Sequence, residues 1–298
     1  MSVFHGSGVA LITPFHEDKS VNYEMLGVLA DRQLAEQTDA IIVCGTTGEP
    51  ATMTKEERFR VIQCVVERME HEIPVIAGTG SNTTAGAVEL AKQAQEAGAD
   101  ALLVVTPYYN KATQNGLYEH YRIIAGSTDL PIIMYNVPSR TGCNLLPQTA
   151  VRIAEDCKNV VGIKEASGNI AQIARLAGLG KGKLDLYSGN DDQIVPVLSL
   201  GGVGVVSVLA NVVPRQTHQI VSEFLNGNLT KSMELQLQYL ELVDALFCEV
   251  NPIPVKAAMK LMGYEVGGLR LPLTELEESH KHELKKVLQK LDLLSSNR

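Results

Sequence analysis

No stretch of this chain approaches the roughly 18 consecutive apolar residues that a membrane helix requires. The N-terminal Met1–Phe15 stretch has no basic region leading into an apolar one, so no secretory signal is expected. Cysteine is sparse: Cys44, Cys64, Cys143, Cys157 and Cys248 form an odd set without a CxxC pair. Reduced thiols in a cytoplasmic protein are the expectation. Positive charge is in deficit, with a formal net charge of −8, which argues against a nucleic-acid partner. The seven histidines show no HExxH or other metal spacing, and His280 and His282 fall in a charged helical stretch where solvation is expected. No glycine-rich GxGxxG follows any strand-like run, so a dinucleotide fold has no support. Linkers and low-complexity segments are missing too.

What the chain does have is alternation. Eight short apolar runs recur: Gly8–Pro14, Ala40–Gly45, Pro74–Gly80, Ala101–Pro107, Pro131–Val137, Val160–Ala166, Leu184–Gly189 and Val203–Val208. Their length and β-branched content predict strands buried on both faces, hence a parallel sheet. Helical patterns lie between them at 22–36, 54–69, 84–97, 116–125, 147–156, 170–179 and 191–200, and an eighth at 214–225 follows the last strand. Thr54 with Glu57 forms a capping-box pattern, Gly98 ends a helix, and Pro147 and Pro214 suit first-turn positions. Eight such units predict an α/β fold, a (β/α)8 TIM barrel over residues 1–225. An open doubly wound sheet is the competing arrangement. From 226 to 298 no strand signal occurs, and 229–247, 254–262 and 274–294 read as helices of a C-terminal helical extension.

In a barrel of this kind the chemistry sits at the C-terminal ends of the strands. Polar residues gather there: Thr13, Thr46-Thr47-Gly48-Glu49, Thr79, Tyr108-Tyr109-Asn110, Tyr135 through Gly142, Lys164, Ser188-Gly189-Asn190 and Ser207. The sixth run, Val160-Val161-Gly162-Ile163-Lys164-Glu165-Ala166-Ser167-Gly168, carries one lysine inside apolar surroundings. Desolvation disfavours an ammonium, and a neutral amine attacks carbonyls, so Lys164 is the candidate Schiff-base nucleophile. Taken alone, a lysine with its stem packed and its head in water is the commoner case.

A Schiff-base lysine requires a keto substrate. Thr46, Thr47 and the backbone of their Gly-flanked turn suit its carboxylate. Tyr135 and Tyr109 are candidate acid–base groups with a threonine hydroxyl as relay, and Arg140 offers a fork for a second carboxylate. Each has a bland counterpart: turn threonines, a packing tyrosine, a surface arginine. Glu49 could cap the following helix. Glu165 should face the helices, alternating with Lys164, and Lys256 is expected on a helix exterior.

These segments together resemble the dihydrodipicolinate synthase family, pyruvate-dependent class I aldolase-like barrels that also include N-acetylneuraminate lyase. The likeness runs from Gly6 to about Pro272. It rests on Gly45-Thr46-Thr47-Gly48-Glu49, Val105 through Asn110, Tyr135 through Gly142, Gly162 through Gly168, Ser188 through Asp192, Gly204 through Ser207, and Asn251 through Lys256. It implies that Lys164 forms an imine with pyruvate. Tyr135, Thr46 and Tyr109 would relay protons, with Tyr109 reaching across a subunit interface. Thr47 would bind the pyruvate carboxylate and Arg140 that of L-aspartate-4-semialdehyde, while Gly189 and Val206 line the pocket. A homo-oligomer, usually a tetramer, and a place in lysine and diaminopimelate synthesis are implied, and nothing calls for a cofactor or metal.

One departure matters. Feedback-sensitive members of the family bind lysine with a Ser-Ala pair, two histidines, an Asn, a Glu and the first of the paired tyrosines. Here the equivalents are Pro50-Ala51, Lys55 and Arg58, Asn82, Gly86 and Tyr108. Weak or absent lysine inhibition is expected. Sugar-acid lyases of the same family usually have Gly-Ser-Thr-Gly-Glu and often lack the arginine, so Thr46 with Arg140 favours the semialdehyde reaction. A non-catalytic keto-acid-binding barrel would lose the lysine or the relay tyrosine. A phosphate-binding isomerase barrel would need an anion loop after the last two strands that is not evident.

Overall fold

The computed structural model describes residues 2–294. Its strands are β1 Gly6–Ala10, β2 Ala40–Val43, β3 Val75–Gly78, β4 Ala101–Val105, β5 Ile132–Asn136, β6 Val160–Glu165, β7 Asp185–Ser188 and β8 Gly204–Ser207. They pair in sequence order, and β1 closes on β8, giving a parallel barrel with helices between strands. The (β/α)8 expectation holds.

Side chains alternate across the barrel wall, as the two-residue period of a strand requires. Ile132 and Met134 face the helices, while Ile133 and Tyr135 face the interior. The interior is packed, not hollow. Phe4 stacks on Tyr187 at 4.5 Å between ring centroids, and the Tyr187 hydroxyl donates to the Phe4 carbonyl at 2.7 Å. That pair leaves no room at Gly162, where a Cβ would lie 3.1 Å from the Tyr187 ring. With this end filled, the cavities that border Lys164 and Tyr135 lie towards the C-terminal ends of the strands.

Several boundaries differ from the sequence expectation, three of them for a visible reason. The first strand stops at Ala10 because the Asn211 side chain takes over its ladder: Asn211 Nδ2 donates to Ala10 O, and Ile12 N donates to Asn211 Oδ1. The helix expected at 191–200 is a 3-10 turn, Asp191–Gln193, followed by Ile194–Ser199. The Asp191 carboxylate is turned away to accept from Val208 N and Leu209 N. The long helix expected at 229–247 is two, Leu229–Gln238 and Leu240–Leu246, hinged where Tyr239 leaves helical dihedrals at φ −96°, ψ 2°.

The extension packs on the barrel. Ser232 Oγ donates to Ile220 O of helix Pro214–Leu225, and Gln236 Nε2 donates to Asp191 O. The last helix, Glu278–Lys290, is shorter than the expected 274–294 and packs on Leu240–Leu246 and Ile253–Leu261. His280 is not freely solvated: its Nδ1 lies 2.7 Å from Glu249 Oε1, which also accepts from Glu277 N. The same carboxylate thus fastens the first turn of that helix. The five cysteines are free thiols, and burial pushes Cys44 up to about 11. No helix among the described residues is long and apolar enough to cross a membrane.

Candidate active site

Parallel register sets the centre of the mouth. Tyr135 on β5 pairs with Lys164 on β6, which pairs with Tyr187 on β7. Neighbours in register point to the same face, so Lys164 Nζ rests 4.4 Å from the centroid of the Tyr135 ring. Lys164 is only 6% exposed. Its outward neighbour fixes the strand end: Glu165, facing the helices as expected, accepts from Ser167 N at 2.7 Å and from Asn136 Nδ2 at 3.0 Å. Gly189 allows the amine its space, since a Cβ there would lie 2.5 Å from the Ala166 Cβ and 3.1 Å from Lys164 Cε.

A cavity of about 350 Å³ opens over this amine, and its wall includes Lys164, Tyr135, Thr46, Thr47, Arg140 and Gly189. Six of the eight residues singled out in the sequence therefore meet in one pocket. Val206 lies just inside, in the interior cluster with Tyr135 and Tyr187. Tyr109 does not join them. It is 89% exposed, with φ at +71°, and stands outside this cavity. Its neighbour Tyr108 lines a second cavity of about 360 Å³ that shares Thr46, Tyr135 and Arg140 with the first.

The turn after β2 is held from several sides. Thr46–Gly48 is a 3-10 turn, and Glu49 follows in the left-handed region at φ 56°. Thr13 Oγ1 donates to Gly48 O at 2.8 Å. Asn251 Nδ2 donates to Thr47 Oγ1 at 3.0 Å, and Asn251 O accepts from Arg140 Nη2 at 3.2 Å. One buried asparagine thus ties the two carboxylate-binding candidates together. Asp191 also lines the cavity. Burial raises its pKa, and the Ser207 side chain, the backbone donors Leu209 and Val208 and the Lys164 charge counter that.

Sequence reading quoted Asn251 and Asp191 inside motifs and gave neither a role. Asn251 carried no signal, because its contacts with Thr47 and Arg140 cross 204 and 111 residues of chain. Two expectations need correction. Lys256 is not on a helix exterior: it is 1% exposed, and its Nζ donates to Glu49 Oε1 at 2.8 Å. Glu49 does not cap the next helix; Thr54 and Glu57 cap it reciprocally. A charge pair needing both partners buried is invisible when each is read singly.

A closed barrel with a buried amine at its C-terminal mouth, seated against a tyrosine and facing a threonine turn, defines a lysine-centred (β/α)8 barrel. Comparison with known proteins narrows this. The Dihydrodipicolinate synthetase family model matches residues 3–291, and the chain belongs to that family. The 4-hydroxy-tetrahydrodipicolinate synthase of Lachnoclostridium phytofermentans is 58% identical over 294 residues, covering 99% of this chain and 100% of the relative. Two solved structures superpose at a TM-score of 0.96. One is the dihydrodipicolinate synthase of Acinetobacter baumannii complexed with pyruvate, 41% identical over 98% of this chain and 100% of its own. The other is that of Cyanidioschyzon merolae with lysine bound, 40% identical over 99% and 100%.

Proposed function

We infer that this chain condenses pyruvate with L-aspartate-4-semialdehyde to give 4-hydroxy-tetrahydrodipicolinate, on the lysine and diaminopimelate route in the cytoplasm. The observation that carries the reading is the Lys164 amine buried against Tyr135 beneath a cavity walled by Thr46, Thr47 and Arg140. Relatives named for this reaction at 51–59% identity support it.

Lys164 Nζ attacks the keto carbon of pyruvate, water leaves, and an iminium forms. Loss of a methyl proton gives the enamine, whose carbon attacks the aldehyde of the second substrate. The amine of that substrate then displaces Lys164 from the former keto carbon, closing the ring. Tyr135 moves the protons, with Thr46 as relay, and Thr47 with its turn holds the pyruvate carboxylate. Gly189 and Val206 shape the space around the amine. Tyr109, turned outward, serves the site of a neighbouring copy in a homotetramer. Of the described residues, 2–225 form the catalytic barrel and 226–294 an extension that braces it.

Arg140 binds the carboxylate of the semialdehyde. Arg140→Ala is expected to raise KM for the semialdehyde about 10–100-fold, the worth of a charge-assisted hydrogen bond, while KM for pyruvate moves little. Steady-state titration of each substrate checks this. A variant affecting only pyruvate would reassign the residue. The same assay run with N-acetylneuraminate and 2-keto-3-deoxy sugar acids tests the reaction itself: cleavage of these without semialdehyde condensation would favour a lyase.

Lysine is expected to inhibit weakly or not at all. By the resemblance, Lys55 and Arg58 take the positions where feedback-sensitive members have histidines; here Lys55 pairs with Glu89 at 2.6 Å and Arg58 donates to Gly78 O at 2.7 Å. A unit charge at about 4 Å repels a second by ~1–4 kcal/mol between water and a protein surface. Gly86 offers no carboxylate in return. Tyr108 and Asn82 alone cannot offset that. Strong inhibition by sub-millimolar lysine would contradict this expectation.

A further inference from the structure

The least expected group in the molecule is the buried ammonium of Lys256. It sits on helix Ile253–Leu261 of the C-terminal extension, yet it meets the barrel mouth. Its Nζ donates to Glu49 Oε1 at 2.8 Å, to Thr13 O at 3.0 Å and to Gly268 O at 2.7 Å. It lies 4.2 Å from the Phe15 ring centroid. The side chains of Lys256 and Glu49 are 1% and 0% exposed. Glu49 Oε2 accepts from Arg270 N, so both ends of the carboxylate are held by the extension.

Desolvating such a pair is costly, and apolar residues of equal size often serve stability as well or better. Stability alone therefore gives a weak reason for it. Its position gives a stronger one. Glu49 immediately follows Thr46, Thr47 and Gly48, and takes a left-handed backbone where the chain leaves the turn. Thr13 supplies a second route: its carbonyl accepts from Lys256 while its hydroxyl donates to Gly48 O.

We propose that Lys256 is a positioning residue: through Glu49 and Thr13 it sets the Thr46–Thr47 turn at the reacting distance from Lys164, so that the extension completes the active site. This rests on the pyruvate reading given above. Lys256 touches no substrate and acts only through the turn.

The pair also links activity to pH. Burial lowers the Lys256 pKa to about 8, while Glu49 and Glu275 raise it and Lys19 lowers it. Arg270, stacked on the other contact of the Phe15 ring at 4.5 Å, and its partner Glu57 are the remaining charges nearby. Loss of the Lys256 proton removes the charge that grips Glu49, so grip on the turn weakens on the alkaline side.

The test is borohydride trapping of pyruvate on Lys164, read as the pyruvate concentration giving half-maximal trapping and its rate, together with thermal midpoints. Lys256→Met is expected to lower trapping efficiency about 100-fold, the usual cost of a displacement of about an ångström near a reacting centre. Where that variant fails to fold, Lys256→Met with Glu49→Met leaves no unpaired buried charge. It is expected to keep the thermal midpoint near that of the parent and still trap at least about tenfold less efficiently. Glu49→Gln is expected to move the alkaline limb of trapping to lower pH, because the lysine loses its carboxylate. A folded single or double variant that traps pyruvate like the parent, or an alkaline limb unmoved in Glu49→Gln, overturns the proposal. Failure of the parent itself to trap pyruvate would instead sink the underlying reading.

Discussion

Lys164→Met is expected to abolish condensation, by at least ~10³-fold in kcat, while the protein folds as before. Methionine keeps the length and apolar stem of lysine, and the site it enters is already lined by Tyr135, Ala166 and Val206. The substitution also replaces a buried polar head with an apolar one, so stability should hold or rise. What disappears is the cavity-lining amine proposed to form a carbon–nitrogen double bond with the keto carbon. Without it the methyl protons of pyruvate lose their acidity, because no iminium draws electrons from the adjacent carbon. An assay of condensation beside a thermal melt separates chemical loss from unfolding. Turnover within tenfold of the parent would mean that another group activates the substrate.

Tyr135→Phe carries the second large effect, a fall of about 10²–10⁴ in kcat, the range for a general acid–base group. The comparison is clean because the ring stays. Tyr135 packs in the barrel interior and its face supports Lys164 at 4.4 Å, and phenylalanine preserves both. Only the hydroxyl goes. The rate of imine formation should therefore fall while pyruvate binding, which we assign to Thr47 and its turn, changes little. Rapid-mixing measurement of imine formation checks this. An unchanged rate would show that water or another hydroxyl carries the proton.

Much of this was legible in the sequence, for physical reasons. Strands buried on both faces must be continuous apolar runs, so all eight announced themselves, and the lysine stood out in the sixth because the four residues before it are apolar. The capping box at Thr54 and Glu57 is local chemistry and appeared as read. What escaped depends on distant chain. The true end of β1 is set by Asn211, which no local pattern couples to Ala10. Asn251 reaches Thr47, and Lys256 reaches Glu49, across two hundred residues. A lysine on a helix reads as solvent-facing until its carboxylate partner is placed beside it. Tyr109 was legible as a candidate acid–base group after the fourth strand, but its service to a neighbouring copy came only through the family resemblance. On its own chain it points away from the cavity, and its proposed work belongs to a neighbouring copy.

The central claim is that a dry amine on the sixth strand captures a small oxo acid. Reduction with borohydride in the presence of pyruvate, followed by peptide mapping, addresses it directly. The expected product is a single carboxyethyl group on the Lys164 nitrogen, absent when either pyruvate or reductant is omitted. Unmodified Lys164, or a label on Lys256 instead, would contradict the account.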